Sequence, residues 1–326
     1  MSFAVLTDTS GNLPTRLVRE NDLKLIAFPY YIDGKEYRCL DTETFDAEDY
    51  YARIKGGMRV TTSQIPPLCY QEFFEPYLRQ GQDVLYISMS SGISGSCNSA
   101  NIAAAELREA YPERRVEIID TRGAALGEGL IALQAARMRD EQVSTELAAA
   151  RLRLAAERMF NVFTVDNLMH LKRGGRLSNL SAMIGTVLQI KPILKGNEEG
   201  KIVAFAKVRG RKQSVKMLAQ MYDKLVQAPG EQTVGIVQAG CRSEAEDLAA
   251  LLRQNRPPKE ILIVEYEPVT GSYVGPGALA LFFESEEGVR SYNGESMAGL
   301  MKQAVAKAGE TAGETLHKLR GKDKNT

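Results

Sequence analysis

The first half of the sequence alternates short apolar runs, rich in β-branched and aromatic residues, with longer segments of helical character. The strand-like runs are FAVLT, LKLIAFPYYI, DVLYISM, RVEIID and NVFTV. The segments between them, such as PPLCYQEFFEPYLRQG, are typical of helices. Strands that alternate with helices form crossover units, which place parallel strands in one sheet. This pattern predicts an α/β fold with a doubly wound, mainly parallel sheet. The dipeptide Asp33-Gly34 adds a predicted hairpin to that sheet.

The second half of the sequence has its own set of predicted elements. The strand-like runs KIVAFAKVRG, QTVGIVQAG, EILIVEYEPV and GALALFFE follow Phe160, with helices predicted near 212–227 and 243–254. A chain of 326 residues also exceeds the usual size of a single core. We therefore predict two domains, an α/β domain at 1–157 and a second α/β or α+β domain at 158–326. The polar end, GETAGETLHKLRGKDKNT, is expected to be a solvated tail.

Composition excludes several classes of function. The chain has 41 basic and 41 acidic residues, so no net charge draws it toward nucleic acid. No apolar run approaches the roughly 20 residues that span a bilayer, and no signal peptide is recognisable, so we expect a cytoplasmic protein without a transmembrane segment. The four cysteines form no CxxC pair, and no metal site is expected.

The serine-rich stretch ISMSSGISGSCNSA follows a predicted buried strand and raises the question of a nucleophile. Ser94 lies in SGISGS, which lacks the G-x-S-x-G spacing of a nucleophile elbow. A serine nucleophile also needs a base, and the two histidines, His170 and His317, lie in a basic segment and in the polar tail. Hydroxyls and N–H groups at the start of a helix can instead bind an anion. Alternatively, Ser91 or Ser94 caps the following helix.

Two further loops carry polar groups. TTSQIPP, residues 61–67, places hydroxyls and an amide before a predicted helix, where they can cap that helix or bind a ligand. HLKRGGRLS holds Arg176 after paired glycines, which permit a sharp change of direction. An arginine fixed in this way can present its planar guanidinium to a carboxylate or phosphate, although a solvated basic turn explains the same residues.

The order of these motifs along the chain resembles the DegV family. The resemblance covers TDTSGNLP, TTSQ, SSGISGSCNSA, IDTRGAALGEGL, LMHLKRGGRLS, GKIVAFAKVRGRKQ and VGPGALALFF, nearly from end to end. It implies an N-terminal Rossmann-like domain, a C-terminal α/β domain and a long-chain fatty acid such as palmitate bound between them. It also implies a non-catalytic partner of a separate fatty acid kinase subunit, which converts the acyl carboxylate to acyl-phosphate. No cofactor is implied, and transient membrane contact is compatible with such a role.

The resemblance also assigns the residues of the carboxylate site. Thr62 and Ser94 match the hydroxyls that bind the carboxylate, Gly95 supplies backbone, and Arg176 matches a basic residue near the head group. Tyr273 stands where the family commonly has histidine. A phenol can donate a hydrogen bond to a carboxylate but does not shuttle protons at neutral pH. Helices near 67–78 and 183–190 are candidates to line the acyl tunnel.

Two alternatives remain open at this point. The first is a lipid carrier or sensor that takes no part in phosphoryl transfer. The second is a serine hydrolase of acyl esters that uses Ser94 as its nucleophile.

Overall fold

The computed structural model describes residues 3–178 and 190–292. Its first sheet consists of β1 (Phe3–Asp8), β2 (Lys24–Ile26), β6 (Asp83–Ser88) and β7 (Val116–Asp120). These strands are all parallel and follow the order β2-β1-β6-β7. Every residue of β1 and β6 is buried, as expected for parallel strands covered on both faces. The predicted parallel α/β sheet is confirmed.

Six helices accompany this first part of the described chain. They are α1 (Thr15–Glu20), α2 (Ala47–Lys55), α3 (Pro67–Arg79), α4 (Ser96–Ala110), α5 (Leu126–Asp140) and α6 (Thr145–Arg158).

A second, mixed sheet has six strands. They are β8 (Met159–Thr164), β9 (Ile190–Gly196), β10 (Ile202–Arg209), β11 (Thr233–Gln238), β12 (Glu260–Glu265) and β13 (Leu279–Glu284). Their order is β10-β9-β8-β13-β11-β12, and β11 and β12 form its parallel pair. The accompanying helices are α7 (Met169–Gly174), α8 (Arg211–Leu225), α9 (Arg242–Asn255) and α10 (Pro268–Val274). The predicted α8 and α9 agree with the structure to within two residues at each end.

The predicted hairpin forms, but in a different sheet from the one expected. β3 (Pro29–Ile32) and β4 (Lys35–Arg38) pair antiparallel around Asp33 and Gly34, both at positive φ. With β5 (Val60–Thr62) they make a separate three-stranded sheet. The run LKLIAFPYYI is therefore two strands rather than one. The break falls at Phe28, whose N–H donates to the hydroxyl of Thr9 at 3.1 Å instead of continuing a ladder.

The run EILIVEYEPV also ends earlier as a strand than predicted. β12 stops at Glu265, and Glu267 caps α10 by accepting hydrogen bonds from the N–H groups of Val269 and Thr270. The αL residue Asn12 holds this segment, because its side chain donates to the carbonyl of Glu265 and accepts from the N–H of Glu267. The early motif TDTSGNLP thus helps to position α10.

Helix α5 lies between the two large sheets. It packs against β1 and β6 of the parallel sheet and against β8, β11 and β13 of the mixed sheet. Its glycines and alanines allow this close packing: a Cβ on Gly129 would collide with the carbonyl oxygen of Gly11. Small residues for helix packing, rather than a dinucleotide fingerprint, therefore explain the Gly127-Glu128-Gly129 string.

A buried carboxyl pair joins β1 to α5. The hydroxyl of Ser10 lies 2.5 Å from Asp8 Oδ1 and 2.6 Å from Glu128 Oε2. Thr7 donates to the other oxygen of Glu128, and Tyr86 to the other oxygen of Asp8. Burial, followed by the charge of Asp8, raises the pKa of Glu128 well above its usual range. The single hydroxyl proton of Ser10 can be donated to only one of the two carboxyl groups. We therefore assign it to the bond with Asp8 and assign Glu128 as protonated, so that the Glu128 carboxyl donates to the Ser10 oxygen.

The predicted domain boundary at residue 157 falls in the last turn of α6. The strands of the parallel sheet precede residue 121, and those of the mixed sheet begin at Met159. All of these elements belong to one compact unit that ends at Ser291, so the boundary stays a prediction. The whole of the predicted polar tail, residues 309–326, lies outside the described residues. None of the helices described is long and apolar enough to cross a membrane.

Candidate ligand-binding site

A mainly apolar cavity of about 180 Å³ is lined by residues from both halves of the chain. Its apolar lining includes Phe28, Met89, Ile93, Phe163, Val274 and Phe282. These side chains come from the loops after parallel strands, from the mixed sheet and from α10. The carboxyl ends of parallel strands are a usual location for ligands in α/β folds.

Two hydroxyl groups meet at the wall of this cavity. Thr62, the last residue of β5, and Tyr273, in α10, place Oγ1 and OH 2.7 Å apart. Both side chains are half-buried and line the cavity. Each hydroxyl has one proton and can accept as well as donate. The pair therefore offers a donor to an anion while keeping its own hydrogen bond.

Arg176 is fixed beside Tyr273. Its guanidinium carbon lies 4.7 Å from the centroid of the Tyr273 ring, within the range of a cation–π contact. Nε donates to the carbonyl of Ile93 at 3.1 Å, and Nη1 donates to that of Gly174 at 2.6 Å. Within the part of the chain that the structure describes, these hydrogen-bond partners are uncharged carbonyls and form no ion pair with Arg176.

The paired glycines before Arg176 act as predicted. Gly175 ends α7 at φ 70°, in the left-handed region that favours glycine. The chain turns there and returns Arg176 to the cavity, whose wall it forms. The turn and the hydrogen bonds of Arg176 agree with a cation held in a fixed position, and its role toward a carboxylate or phosphate stays a prediction.

Ser94 and Gly95 form another part of the cavity wall, at the start of α4. The hydroxyl of Ser94 accepts a hydrogen bond from the N–H of Ser96 at 3.2 Å, which satisfies one free donor of the first turn. A Cβ on Gly95 would collide with the amide oxygen of Gln64, so glycine lets these two loops approach. Ser91 does not cap α4; its hydroxyl donates to Asp120 instead.

The TTSQIPP loop does not cap the helix that follows it. The residue preceding α3 is Pro66, which makes no side-chain capping bond. Thr62 belongs to β5 and turns its hydroxyl to Tyr273, while Gln64 lines the cavity. The ligand-facing interpretation of this loop therefore fits the structure better than capping.

The geometry around Ser94 lacks the features of a hydrolase. The hydrogen bond that its hydroxyl makes is to a backbone N–H, not to an imidazole. His170, the histidine within the described ranges 3–178 and 190–292, packs instead against Gly275, and its Nδ1 lies 3.4 Å from an Arg173 nitrogen. Burial, followed by the charge of Arg173, lowers the pKa of His170.

The structure brings Thr62, Ser94, Gly95, Arg176 and Tyr273 to the wall of one cavity. That these five residues hold a carboxylate stays a prediction. Helix α3 contributes no lining residue to the described cavity, so the tunnel prediction for 67–78 stays a prediction. Its helix packs inward on Tyr70, Phe74 and Leu78 instead. The other tunnel candidate, 183–190, lies outside the described residues except for Ile190.

The sequence patterns did not single out several of the lining residues, among them the polar Asn161. Asn161 lies on β8, is 8% exposed and lines the cavity. Its signal was present in NVFTV, where a polar residue occupies a position of an otherwise buried strand.

A groove of about 420 Å³ adjoins the cavity through shared residues. Thr62, Arg176 and Tyr273 line both spaces. Arg59 and Arg173 also line the groove. The polar wall of the cavity is therefore reachable from a basic outer surface.

The fold and this cavity define an α/β protein with a mainly apolar cavity beside a polar wall. A family model described as "Uncharacterised protein, DegV family" matches residues 2–286. The chain belongs to the DegV family, as its motifs indicated. A DegV domain-containing protein of Clostridium perfringens is 39% identical over 281 residues, which cover 86% of this chain and 97% of that protein.

Solved structures agree with this assignment. One, reported as "Fatty Acid Binding of a DegV family Protein from Thermus thermophilus", superimposes with a TM-score of 0.79 at 27% identity, over 88% of this chain and 100% of that one. A fatty acid binding DegV family protein from Streptococcus agalactiae matches with a TM-score of 0.77 at 30% identity, over 88% and 99% of the two chains. The predicted DegV-like two-domain fold is thereby confirmed.

Proposed function

We propose that this protein binds a long-chain fatty acid and holds its carboxylate against Thr62, Tyr273 and Arg176. The observation that carries the proposal is the meeting of two hydroxyls and of Arg176, whose hydrogen bonds among the described residues go to backbone carbonyls, on the wall of an apolar cavity. The fatty acid binding reported for the Thermus thermophilus and Streptococcus agalactiae proteins supports it.

The two parts of such a ligand have different roles. Each buried methylene contributes about 0.8 kcal/mol, so the acyl chain supplies most of the affinity. A carboxylate buried without partners would cost several kcal/mol, so the polar wall serves mainly to cancel that penalty and to fix orientation. Pockets for ligands of this size span about 300–1,000 Å³, so the cavity widens when the chain enters.

Ser94 and Gly95 complete the proposed head-group site. The hydroxyl of Ser94 accepts from Ser96, which leaves its own proton free to donate to a carboxylate oxygen. Gly95 keeps the Ser94 loop close to Gln64, and thus close to Thr62 in the neighbouring loop. The carboxylate then lies between two loops that are distant in sequence.

We further propose that the bound carboxylate is presented to a separate fatty acid kinase subunit in the cytoplasm. The shared wall of cavity and groove supports this, because a head group at Thr62 and Arg176 can be reached from outside while the chain stays buried. In this role the chain itself is a carrier rather than a catalyst. A carrier or sensor without phosphoryl transfer would use the same cavity.

Lipid extraction tests the binding proposal. The protein is purified, denatured in organic solvent and the released lipids are identified by mass spectrometry. We expect a long-chain fatty acid in near-stoichiometric amount; a folded preparation that neither carries nor takes up any acyl chain contradicts the proposal. Adding a fatty acid kinase and ATP then separates presentation from simple carriage, since only presentation yields acyl-phosphate.

A further inference from the structure

Asn161 lines the cavity, and its buried amide oxygen, Oδ1, has no hydrogen-bond partner within 3–178 and 190–292. Asn161 pairs with Phe282 across β8 and β13, and both residues line the cavity. A buried polar atom that stays unpaired is destabilising, so native proteins rarely keep one without a reason.

The amide of Asn161 packs closely against two glycines, Gly123 and Gly127. A Cβ on Gly127 would lie 2.7 Å from Oδ1, and one on Gly123 would lie 2.8 Å from Nδ2. Larger residues at either position would displace the side chain. These neighbours share no member with the residues assigned to the carboxylate. Asn161 is thus a polar lining residue that is not among the five residues assigned to the carboxylate.

We propose that Asn161 is a polar subsite that recognises a hydroxyl group on the acyl chain, so that the protein prefers a hydroxylated long-chain fatty acid. A hydroxyl both donates and accepts, and so can pair with either atom of the amide. A plain hydrocarbon chain packed against Asn161 would leave the amide unsatisfied. This inference rests on the proposed function, because it assumes that the acyl chain occupies the cavity.

The test compares octadecanoic acid with a positional series of monohydroxy-octadecanoic acids. Affinity is measured by displacement of a fluorescent fatty acid. We expect at least one positional isomer to bind the wild-type protein about tenfold more tightly than octadecanoic acid, because it supplies the missing hydrogen bond. In Asn161→Leu that preference disappears, and octadecanoic acid binds at least as tightly as before. Asn161→Ala repeats the test with a smaller side chain.

Thr164→Val is the matched control. Thr164 is on the same strand, is fully buried and also has an unpartnered hydroxyl, but it does not line the cavity. This variant should keep the wild-type preference. Equal or weaker binding of every hydroxylated isomer, or a preference that survives in both Asn161 variants, overturns the inference while leaving fatty acid binding intact. If no acid of either kind binds, the proposed function fails as well.

Discussion

Thr62 Oγ1 and the phenolic oxygen of Tyr273 lie 2.7 Å apart, although 211 residues separate them in the chain. One hydroxyl ends β5 in the small hairpin sheet, and the other comes from α10. Three local features position them. The hairpin at Asp33-Gly34 positions β5, and the hydrogen bonds of Asn12 and the Glu267 cap position α10. The proposed carboxylate site therefore depends on packing well outside the cavity.

Loss of the Tyr273 hydroxyl should weaken fatty acid binding. Tyr273→Phe keeps the ring under Arg176 but removes one donor, and a hydrogen bond to a charged group is worth about 1.5–3 kcal/mol. We expect the dissociation constant for palmitic acid to rise about tenfold or more. Fluorescent-probe displacement measures it. Tyr111→Phe is the control, because that hydroxyl donates to Glu75 and neither residue lines the cavity; equal effects of the two variants would refute the role of Tyr273.

Arg176 should not be replaceable by lysine. Lysine keeps the charge but cannot bond the carbonyls of Ile93 and Gly174 while stacking on Tyr273. We expect Arg176→Lys to bind palmitic acid more weakly than wild type, and Arg176→Ala to be weaker still. Calorimetric titration at two salt concentrations checks this. Lys172→Ala, an exposed residue of α7 just before the turn that leads to Arg176, should leave binding unchanged; full affinity in Arg176→Ala would show that the head group lies elsewhere.

Stability should depend on pH through Glu267. Burial raises the pKa of this carboxyl to about 7, so the folded state binds more protons than the unfolded state between its ordinary pKa and 7. Its contribution to the free energy of unfolding is complete below the ordinary pKa and is lost as pH rises toward 7, by about 3 kcal/mol in all. Urea unfolding of wild type and Glu267→Gln across this range measures the difference. The variant should gain relative stability as pH rises; parallel curves would contradict the raised pKa.

The carboxyl pair in the core predicts an asymmetry between two amide substitutions. Glu128→Gln retains a donor toward Ser10 and an acceptor for Thr7, so we expect a change in the free energy of unfolding within about 1 kcal/mol. Asp8→Asn puts an amide group against donors from Ser10 and Tyr86 and should cost about 1–3 kcal/mol. Thermal and urea unfolding of the two variants measure which substitution lowers the free energy of unfolding more. The reverse order would place the proton on Asp8.

Local sequence patterns predicted the parallel sheet, the hairpin turn and the turn that fixes Arg176, because each depends on residues close together in the chain. They did not predict the break at Phe28, which depends on a hydroxyl of Thr9 in another loop. Likewise, the strand ends at Glu265 because α10 begins with a side-chain cap held by Asn12.

In the candidate site, too, the individual residues could be predicted from the sequence, whereas their contacts could not. Motifs resembling the DegV family singled out Thr62, Ser94, Gly95, Arg176 and Tyr273, but nothing local in the sequence shows that Thr62 and Tyr273 touch. Asn161 escaped notice because a polar residue in a strand usually faces solvent, whereas here both faces of β8 are covered. Only the register with Phe282 places it on the cavity.

A crystal structure with palmitic acid tests the central claim most directly. The account predicts the acyl chain in the apolar cavity, with a carboxylate oxygen about 2.6–3.2 Å from the hydroxyls of Thr62 and Tyr273 and from the guanidinium of Arg176. A carboxylate that lies away from these three side chains, or an acyl chain outside the cavity, would contradict it.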